Sequence, residues 1–174
     1  MTAPSDALTW VREQRDAYAH GEHRPEGSFA VIMGAYGATV AGLGILMHRS
    51  GRSLPVRFTA ADFALLSVAT HKLSRLLAKD PVTSPLRLPF TTFAGTSGEA
   101  ELAEEVRGTG FRKAMGELVT CPFCLGMWVA TGFGAGLVLR PDATRLAAFV
   151  LSTLTAADVL QFAYSAVEQR ATQQ

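Results

Sequence analysis

Residues 118–139, LVTCPFCLGMWVATGFGAGLVL, decide the fold class of this chain because they form one long apolar segment. The 22 positions between Glu117 and Arg140 carry no formal charge. A helix of about 20 apolar residues is long enough to cross the hydrocarbon core of a lipid bilayer. The segment therefore predicts a membrane-spanning helix.

Two further segments show the same pattern. Residues 28–47 lie in a second stretch of 22 uncharged positions, and residues 146–167 carry one formal charge, on Asp158. Small residues recur at every fourth position in two of the three segments, and such stripes let helix backbones approach closely in a membrane. The stripes are Gly34, Ala38 and Gly42, and Gly126, Ala130 and Gly134. We expect them to contact a protein partner or a second copy of the chain.

Residues 58–77 form a fourth candidate span that is long enough but more polar. It carries four ionisable side chains: Asp62, His71, Lys72 and Arg75. The two cations and Lys79 share one helical face, which leaves the leucines of the segment to meet lipid or neighbouring helices. The sequence therefore predicts an all-α integral membrane protein with four transmembrane helices, or three if residues 58–77 lie in the membrane interface.

The chain divides into a short arm and a membrane domain. Residues 1–26 are predicted as a cytoplasmic arm, and residues 27–174 as a helical membrane domain with a long cytoplasmic loop at 80–117. Within this loop, residues 98–108, GEAELAEEVRG, are predicted as a short acidic helix. With four spans, nine Lys and Arg residues lie on the side of the loop and both termini, against five on the other side. Because basic residues favour the cytoplasmic side, both termini are expected in the cytoplasm.

The composition excludes a nucleic-acid-binding role. The 174 residues include 16 Lys and Arg against 15 Asp and Glu, so there is no basic field to attract a polyanion. The sequence also lacks a phosphate-binding GxxxxGKS or GxxxxGKT loop, an HExxH motif and a GxSxG motif. No enzyme class is indicated, and a non-enzymatic role is favoured.

Ionisable residues of two predicted spans lie at the same depth in the membrane. His71 lies 13 residues from Phe58, Asp158 lies 13 residues from Arg145, and Lys72 and Arg75 follow His71. These four residues are predicted to form a polar cluster near the inner leaflet, where an ionisable group usually faces a partner or a cavity. Cys121 and Cys124 are predicted to meet them at the same level. Two interpretations stay open: Asp158 forms an ion pair with Lys72 or Arg75 that fixes helix packing, or the cluster holds an anionic headgroup or a metal.

Arg87 is predicted to lie at the level of the lipid headgroups. It occurs in the sequence PLRLP, after the second candidate span. A guanidinium at this level can bind a phosphate by paired hydrogen bonds, or can simply extend toward ordinary lipid. Arg87 is therefore a candidate contact for an anionic headgroup.

Two cysteines, Cys121 and Cys124, begin the span at residues 118–139 in the sequence CPFC. On the predicted orientation they lie near the reducing cytoplasm, where a permanent disulfide is disfavoured. Free structural thiols, a zinc or iron site and a thiol redox pair are the open interpretations. A structural zinc site takes four ligands, of which this motif supplies two.

Two sequence blocks carry a family resemblance: HKLSRLLAKDPVTSPLRLPF at residues 71–90 and GELVTCPFCLGMWVA at residues 116–130. They resemble the bacterial membrane-protein family called domain of unknown function 1360, among whose members is a sporulation-associated membrane protein. The matching positions are Arg75, Asp80, Arg87, Pro89, Cys121, Pro122, Cys124, Gly126 and Trp128. The resemblance implies a small multi-span protein of the bacterial cytoplasmic membrane and carries no established activity.

The leading functional hypothesis is a structural or regulatory membrane subunit, a scaffold that binds other membrane or cytoplasmic proteins. One alternative is a membrane-embedded enzyme or carrier that handles an anionic lipid headgroup. Another is a metal or redox sensor that uses Cys121 and Cys124. A cavity open to the cytoplasm favours the enzyme or carrier, whereas a closed and fully ion-paired cluster favours the scaffold.

Overall fold

The computed structural model of the chain describes residues 4–21, 24–51 and 57–172. Parts of the predicted arm, the outer loop that holds Arg52, and residues 173–174 lie outside the described residues. The described ranges contain helices, one β-hairpin and a short 3-10 turn at Pro81–Thr83. The helices are α1 Pro4–Ala19, α2 Glu26–Arg49, α3 Ala60–Lys79, α4 Ser84–Arg87, α5 Gly110–Thr120, α6 Pro122–Leu139 and α7 Pro141–Thr172. The strands are β1 Thr91–Gly98 and β2 Glu101–Val106.

Among the described residues, three helices are long and apolar enough to cross a membrane: α2, α6 and α7. Helix α2 contains the whole predicted span 28–47, and α7 contains the whole predicted span 146–167. The predicted span 118–139 is divided between α5 and α6, because the backbone of Cys121 is extended and Pro122 starts a new helix. The prediction of a mainly helical chain with membrane-spanning candidates is confirmed to this extent.

Helix α3 lies between α6 and α7 and packs against both. It runs parallel to α7, since hydrogen bonds join the two helices in the same order along both. The bonded pairs are Asp62 with Arg145, Leu65 with Ser152, and Lys72 with Asp158. The buried residues of α3 after its first turn are small, Ala69, Ser74 and Ala78. Small side chains let the neighbouring helices approach α3 closely.

The polar loop contains a β-hairpin, which corrects two predictions. Strands β1 and β2 pair antiparallel, with Thr91 opposite Val106 at the open end. The chain is therefore not all-α, and residues 98–108, predicted as an acidic helix, supply β2. The helix preference of Glu and Ala is weak and yields to tertiary contacts. Here Glu101 and Glu104 of β2 form ion pairs with arginines of α3 and α4.

Helix α2 has no buried residue and contacts the bundle through one side. The Tyr36 hydroxyl lies 2.8 Å from Oγ1 of Thr131, and its ring packs edge-on against Trp128 at 5.1 Å between ring centroids. A Cβ atom placed on Gly34 or Gly42 would have no side chain or other element of the described chain within 4 Å. The small-residue stripe of α2 is therefore not a contact within the described chain.

Candidate functional site

A cleft of about 580 Å³ lies between α3, α7 and the tip of the hairpin. The four residues of the predicted polar cluster, His71, Lys72, Arg75 and Asp158, all line this cleft. The hairpin tip, residues 97–101, forms the facing wall. The fold thus brings residues of two distant helices and one loop to a single opening.

Lys72 and Asp158 form an ion pair inside the cleft. Nζ of Lys72 donates to Oδ2 of Asp158 at 2.5 Å. The two side chains are 23% and 39% exposed, so water reaches part of the pair. The parallel packing of α3 on α7 places both residues at one level, and their ion pair joins the two helices.

Arg75 binds Glu101 of the hairpin and makes no ion pair with Asp158. Its Nε and Nη2 atoms both donate to Oε1 of Glu101, at 2.9 and 2.5 Å, and Nη2 also donates to Oε2 at 2.7 Å. Paired hydrogen bonds of this kind fix the relative orientation of a guanidinium and a carboxylate. Because Glu101 is the first residue of β2, the contact attaches the hairpin tip to α3.

Arg87 is buried, which corrects its predicted role as a headgroup contact. Its side chain is 1% exposed and donates from Nε to a carboxylate oxygen of Glu104. Nη1 donates to the backbone oxygen of Leu77 at 2.7 Å and to Oγ1 of Thr83 at 2.8 Å, and Nη2 donates to the backbone oxygen of Asp80 at 3.0 Å. Each guanidinium nitrogen has a hydrogen-bond partner within the chain, and the buried side chain is out of reach of a lipid phosphate.

A further ion pair joins the opposite end of α3 to α7. Asp62 accepts hydrogen bonds from Nε and Nη2 of Arg145 at 2.8 and 3.2 Å. The same carboxylate accepts from the backbone nitrogen and hydroxyl of Thr59, and completes a capping box at the start of α3. The Asp62 side chain therefore both caps the N-terminus of α3 and attaches this helix to α7.

The side chains that line the cleft carry a net negative charge. Its two cations, Lys72 and Arg75, each bind a carboxylate, and the remaining charged lining residues are Asp80 and Glu99. His71 is exposed at the rim, and no described residue hydrogen-bonds its imidazole ring. The cleft therefore has two cations against four carboxylates, a balance that disfavours a phosphate.

Cys121 and Cys124 do not line the cleft and lie at the junction of α5 and α6, which corrects the prediction that they meet the polar cluster. Both are free thiols, and their Sγ atoms are 2.8 Å apart. Within the described residues, no third His, Cys, Asp or Glu joins them in a group that could hold a metal ion. Two sulfurs supply half of the ligand set of a structural zinc site, so a zinc or iron site lacks support from this geometry.

The sequence analysis did not identify the carboxylates that pair with Arg75, Arg87 and Arg145. Glu101 and Glu104 were assigned to a helix, and Asp62 was treated only as a polar residue of a doubtful span. A usable signal was nevertheless present, because cations in a membrane segment need carboxylate partners and the acidic run at 99–105 follows closely. The hairpin that brings these carboxylates to α3 and α4 was not predicted.

The sequence profile of the family described as "Protein of unknown function (DUF1360)" matches residues 65–164, which include both sequence blocks. The chain is also 39% identical over 69 residues to "Sporulation protein YjcA" of Bacillus subtilis (strain 168), a match that covers 38% of this chain and 58% of that protein. The chain thus spans a little over half the length of this relative, and no solved structure matches it. Because the profile match extends over more than half of the sequence, the chain belongs to the DUF1360 family.

Proposed function

We propose that this protein is a scaffold or regulatory subunit of the bacterial cytoplasmic membrane, which binds another protein through a rigid helical bundle. The observation that carries the proposal is the internal pairing of its charges. Four cations each meet a carboxylate on a different element: Lys72 with Asp158, Arg75 with Glu101, Arg87 with Glu104, and Arg145 with Asp62. Side chains paired in this way hold elements together and are not available to a substrate.

Large exposed apolar side chains support the membrane location. On α7, Leu146, Phe149 and Leu160 are 65%, 60% and 70% exposed. Soluble monomers rarely expose long contiguous apolar surfaces, whereas lipid tails cover them without cost. Since α3 lies alongside α7 in parallel, we place α3 in the bilayer as a fourth span. Four spans put both termini on the side of the hairpin, which the basic residues assign to the cytoplasm.

The outer face of α2 is the surface that we assign to the partner. Its small-residue stripe, Gly34, Ala38 and Gly42, is exposed and has no neighbour in the described chain. In a bilayer such a stripe favours close contact with another helix. The partner is then a transmembrane helix of another protein or of a second copy of this chain.

A membrane-embedded enzyme or carrier is the second candidate, and the cleft is the observation that favours it. A volume of about 580 Å³ is large enough for a small ligand. An anionic headgroup is nevertheless a poor occupant, because Lys72 and Arg75 are already paired and carboxylates outnumber the cations of the lining. The scaffold therefore remains the better-supported function.

Site-specific photo-cross-linking in intact cells tests the scaffold. A photoreactive residue at position 38 lies on the exposed stripe, and one at Leu43 is the matched control because it lies two turns beyond Tyr36 on the partly buried side. We expect a discrete protein adduct from position 38 and none from position 43. Lipid adducts alone at both positions would contradict the proposed partner surface.

A further inference from the structure

The sulfur atoms of Cys121 and Cys124 are in direct contact. Sγ of Cys121 accepts a hydrogen bond from the backbone nitrogen of Cys124 at 3.3 Å and a second from the thiol of Cys124 at 2.8 Å. Cys121 is the N-cap of α6, and Pro122 at the next position fixes the entry of the chain into the helix. The sequence CPFC thus folds the two sulfurs into contact at a helix N-terminus.

This arrangement favours Cys121 as the attacking sulfur. Two donors point at its Sγ atom, and donors directed at a sulfur stabilise the thiolate, which is the reactive form of cysteine. The start of a helix adds a partial positive charge from its free backbone N–H groups. Cys124, which donates to Cys121, is then placed to act second.

The pair is open to a reagent from outside the chain. Cys124 is exposed, Cys121 is partly exposed, and the side chain of Phe123 between them is 91% exposed. Phe123 and Cys124 belong to the first turn of α6, a helix of 18 residues that is long enough to cross the bilayer. The first turn of such a helix lies at the membrane interface, where water-soluble thiols and disulfides have access.

We propose that Cys121 and Cys124 form a reversible dithiol–disulfide site that exchanges with low-molecular-weight disulfides. The Cys121 thiolate attacks one sulfur of the small disulfide, whose S–S bond breaks and releases one small thiol. Cys124 loses its proton and attacks Sγ of Cys121, which forms the intramolecular disulfide and releases the second small thiol. The cysteine pair loses two electrons and two protons, and the small disulfide gains both.

Equilibration in glutathione redox buffers tests the proposal on the full chain in mild detergent. Samples are quenched with acid, alkylated and weighed as intact protein. We expect the wild type to shift, as oxidised glutathione rises, from a form with two alkyl groups to a form with none whose mass is that of the unlabelled chain less two hydrogen atoms. Dithiothreitol should restore the form with two alkyl groups. A chain that keeps both thiols in oxidising buffer, while the same chain in denaturant forms the disulfide, would overturn the proposal. A stable glutathione adduct on the wild type without ring closure would overturn it equally.

Single variants test the order of the two steps. Cys124→Ser retains Cys121 and should accumulate the mixed disulfide with glutathione, because no second thiol completes the exchange. Cys121→Ser retains Cys124 and should form its adduct about tenfold more slowly, since it lacks the sulfur that accepts both hydrogen bonds. Equal rates in the two variants would contradict the assignment of Cys121 as the attacking sulfur. Melting temperatures of both variants serve as the control for intact folding.

Discussion

Nζ of Lys72 lies 2.5 Å from Oδ2 of Asp158, although the two residues are 86 positions apart in the chain. The pair joins α3 to α7, which pack against each other. Neither residue has an oppositely charged neighbour in its own helix turn, so each finds its partner only across the contact between the two helices. The same relationship between distant residues recurs at Arg75, Arg87 and Arg145.

Removal of the Asp158 charge should destabilise the bundle. We expect Asp158→Asn to lower the free energy of unfolding by about 1–2 kcal/mol, because Lys72 is left without its partner. The partial exposure of both side chains keeps the loss below that of a fully buried pair. A double-mutant cycle with Lys72→Met, read from unfolding in detergent, should return a favourable coupling energy. Additive losses would show that the two charges do not stabilise each other.

The buried Arg87 should be the most sensitive of the charged positions. Arg87→Lys cannot reproduce the contacts with Glu104, Leu77, Thr83 and Asp80, so we expect a loss of about 3–5 kcal/mol. Glu104→Gln removes the buried carboxylate and should also destabilise the chain strongly. The exposed Glu105 on the same strand provides the control, and Glu105→Gln should leave the melting temperature unchanged. Similar melting temperatures for all three variants would contradict a structural role for Arg87.

Two glycines of α6 provide a matched pair for the α6–α7 turn. A Cβ atom on Gly136 would lie 2.5 Å from Oγ1 and 3.1 Å from Cγ2 of Thr144, whereas one on Gly134 would meet nothing within 4 Å. We expect Gly136→Ala to cost about 1–3 kcal/mol through overpacking. Gly134→Ala should be neutral or slightly stabilising, since Ala favours a helix over Gly by about 1 kcal/mol. The melting temperatures of the two variants are compared by thermal unfolding. Equal changes would contradict a tight contact between position 136 and Thr144.

A substitution in the small-residue stripe of α2 should affect assembly and not folding. A Cβ atom on Gly42 would meet nothing within 4 Å, so we expect Gly42→Leu not to lower the stability of the monomer in detergent. If a partner helix packs against the stripe, the bulky side chain should abolish the complex and lower its recovery at least about tenfold. Size-exclusion chromatography of the solubilised protein measures this outcome. An unaltered elution profile would show that the stripe faces lipid.

The number of spans predicts the side on which the chain ends. With α3 in the bilayer, a reporter fused after residue 174 should be active only in its cytoplasmic form. A reporter active at the exterior would leave three spans and place α3 in the interface. A fusion in the loop at 107–109 should report the same side as the terminus in the four-span arrangement, and it therefore controls for expression of the fusion protein.

The sequence alone predicted the apolar helices, because a helix that crosses a bilayer needs about 20 consecutive apolar residues and leaves a local signal. It also indicated that His71, Lys72, Arg75 and Asp158 lie at comparable depth, since helical rise converts residue number into distance. The CPFC motif could be located in the same way at the start of an apolar helix. These features depend on neighbouring residues in the chain and can be read without the fold.

Tertiary structure decided which charges pair and where the loop folds. Glu101 and Glu104 have a helical preference that is weaker than their ion pairs with Arg75 and Arg87, so residues 101–106 form a strand. The burial of Arg87 likewise depends on carbonyl groups at the end of α3 and on a carboxylate of the hairpin, which the sequence does not bring together. Ion pairs between distant elements form only after those elements meet, and for that reason no local pattern could predict them.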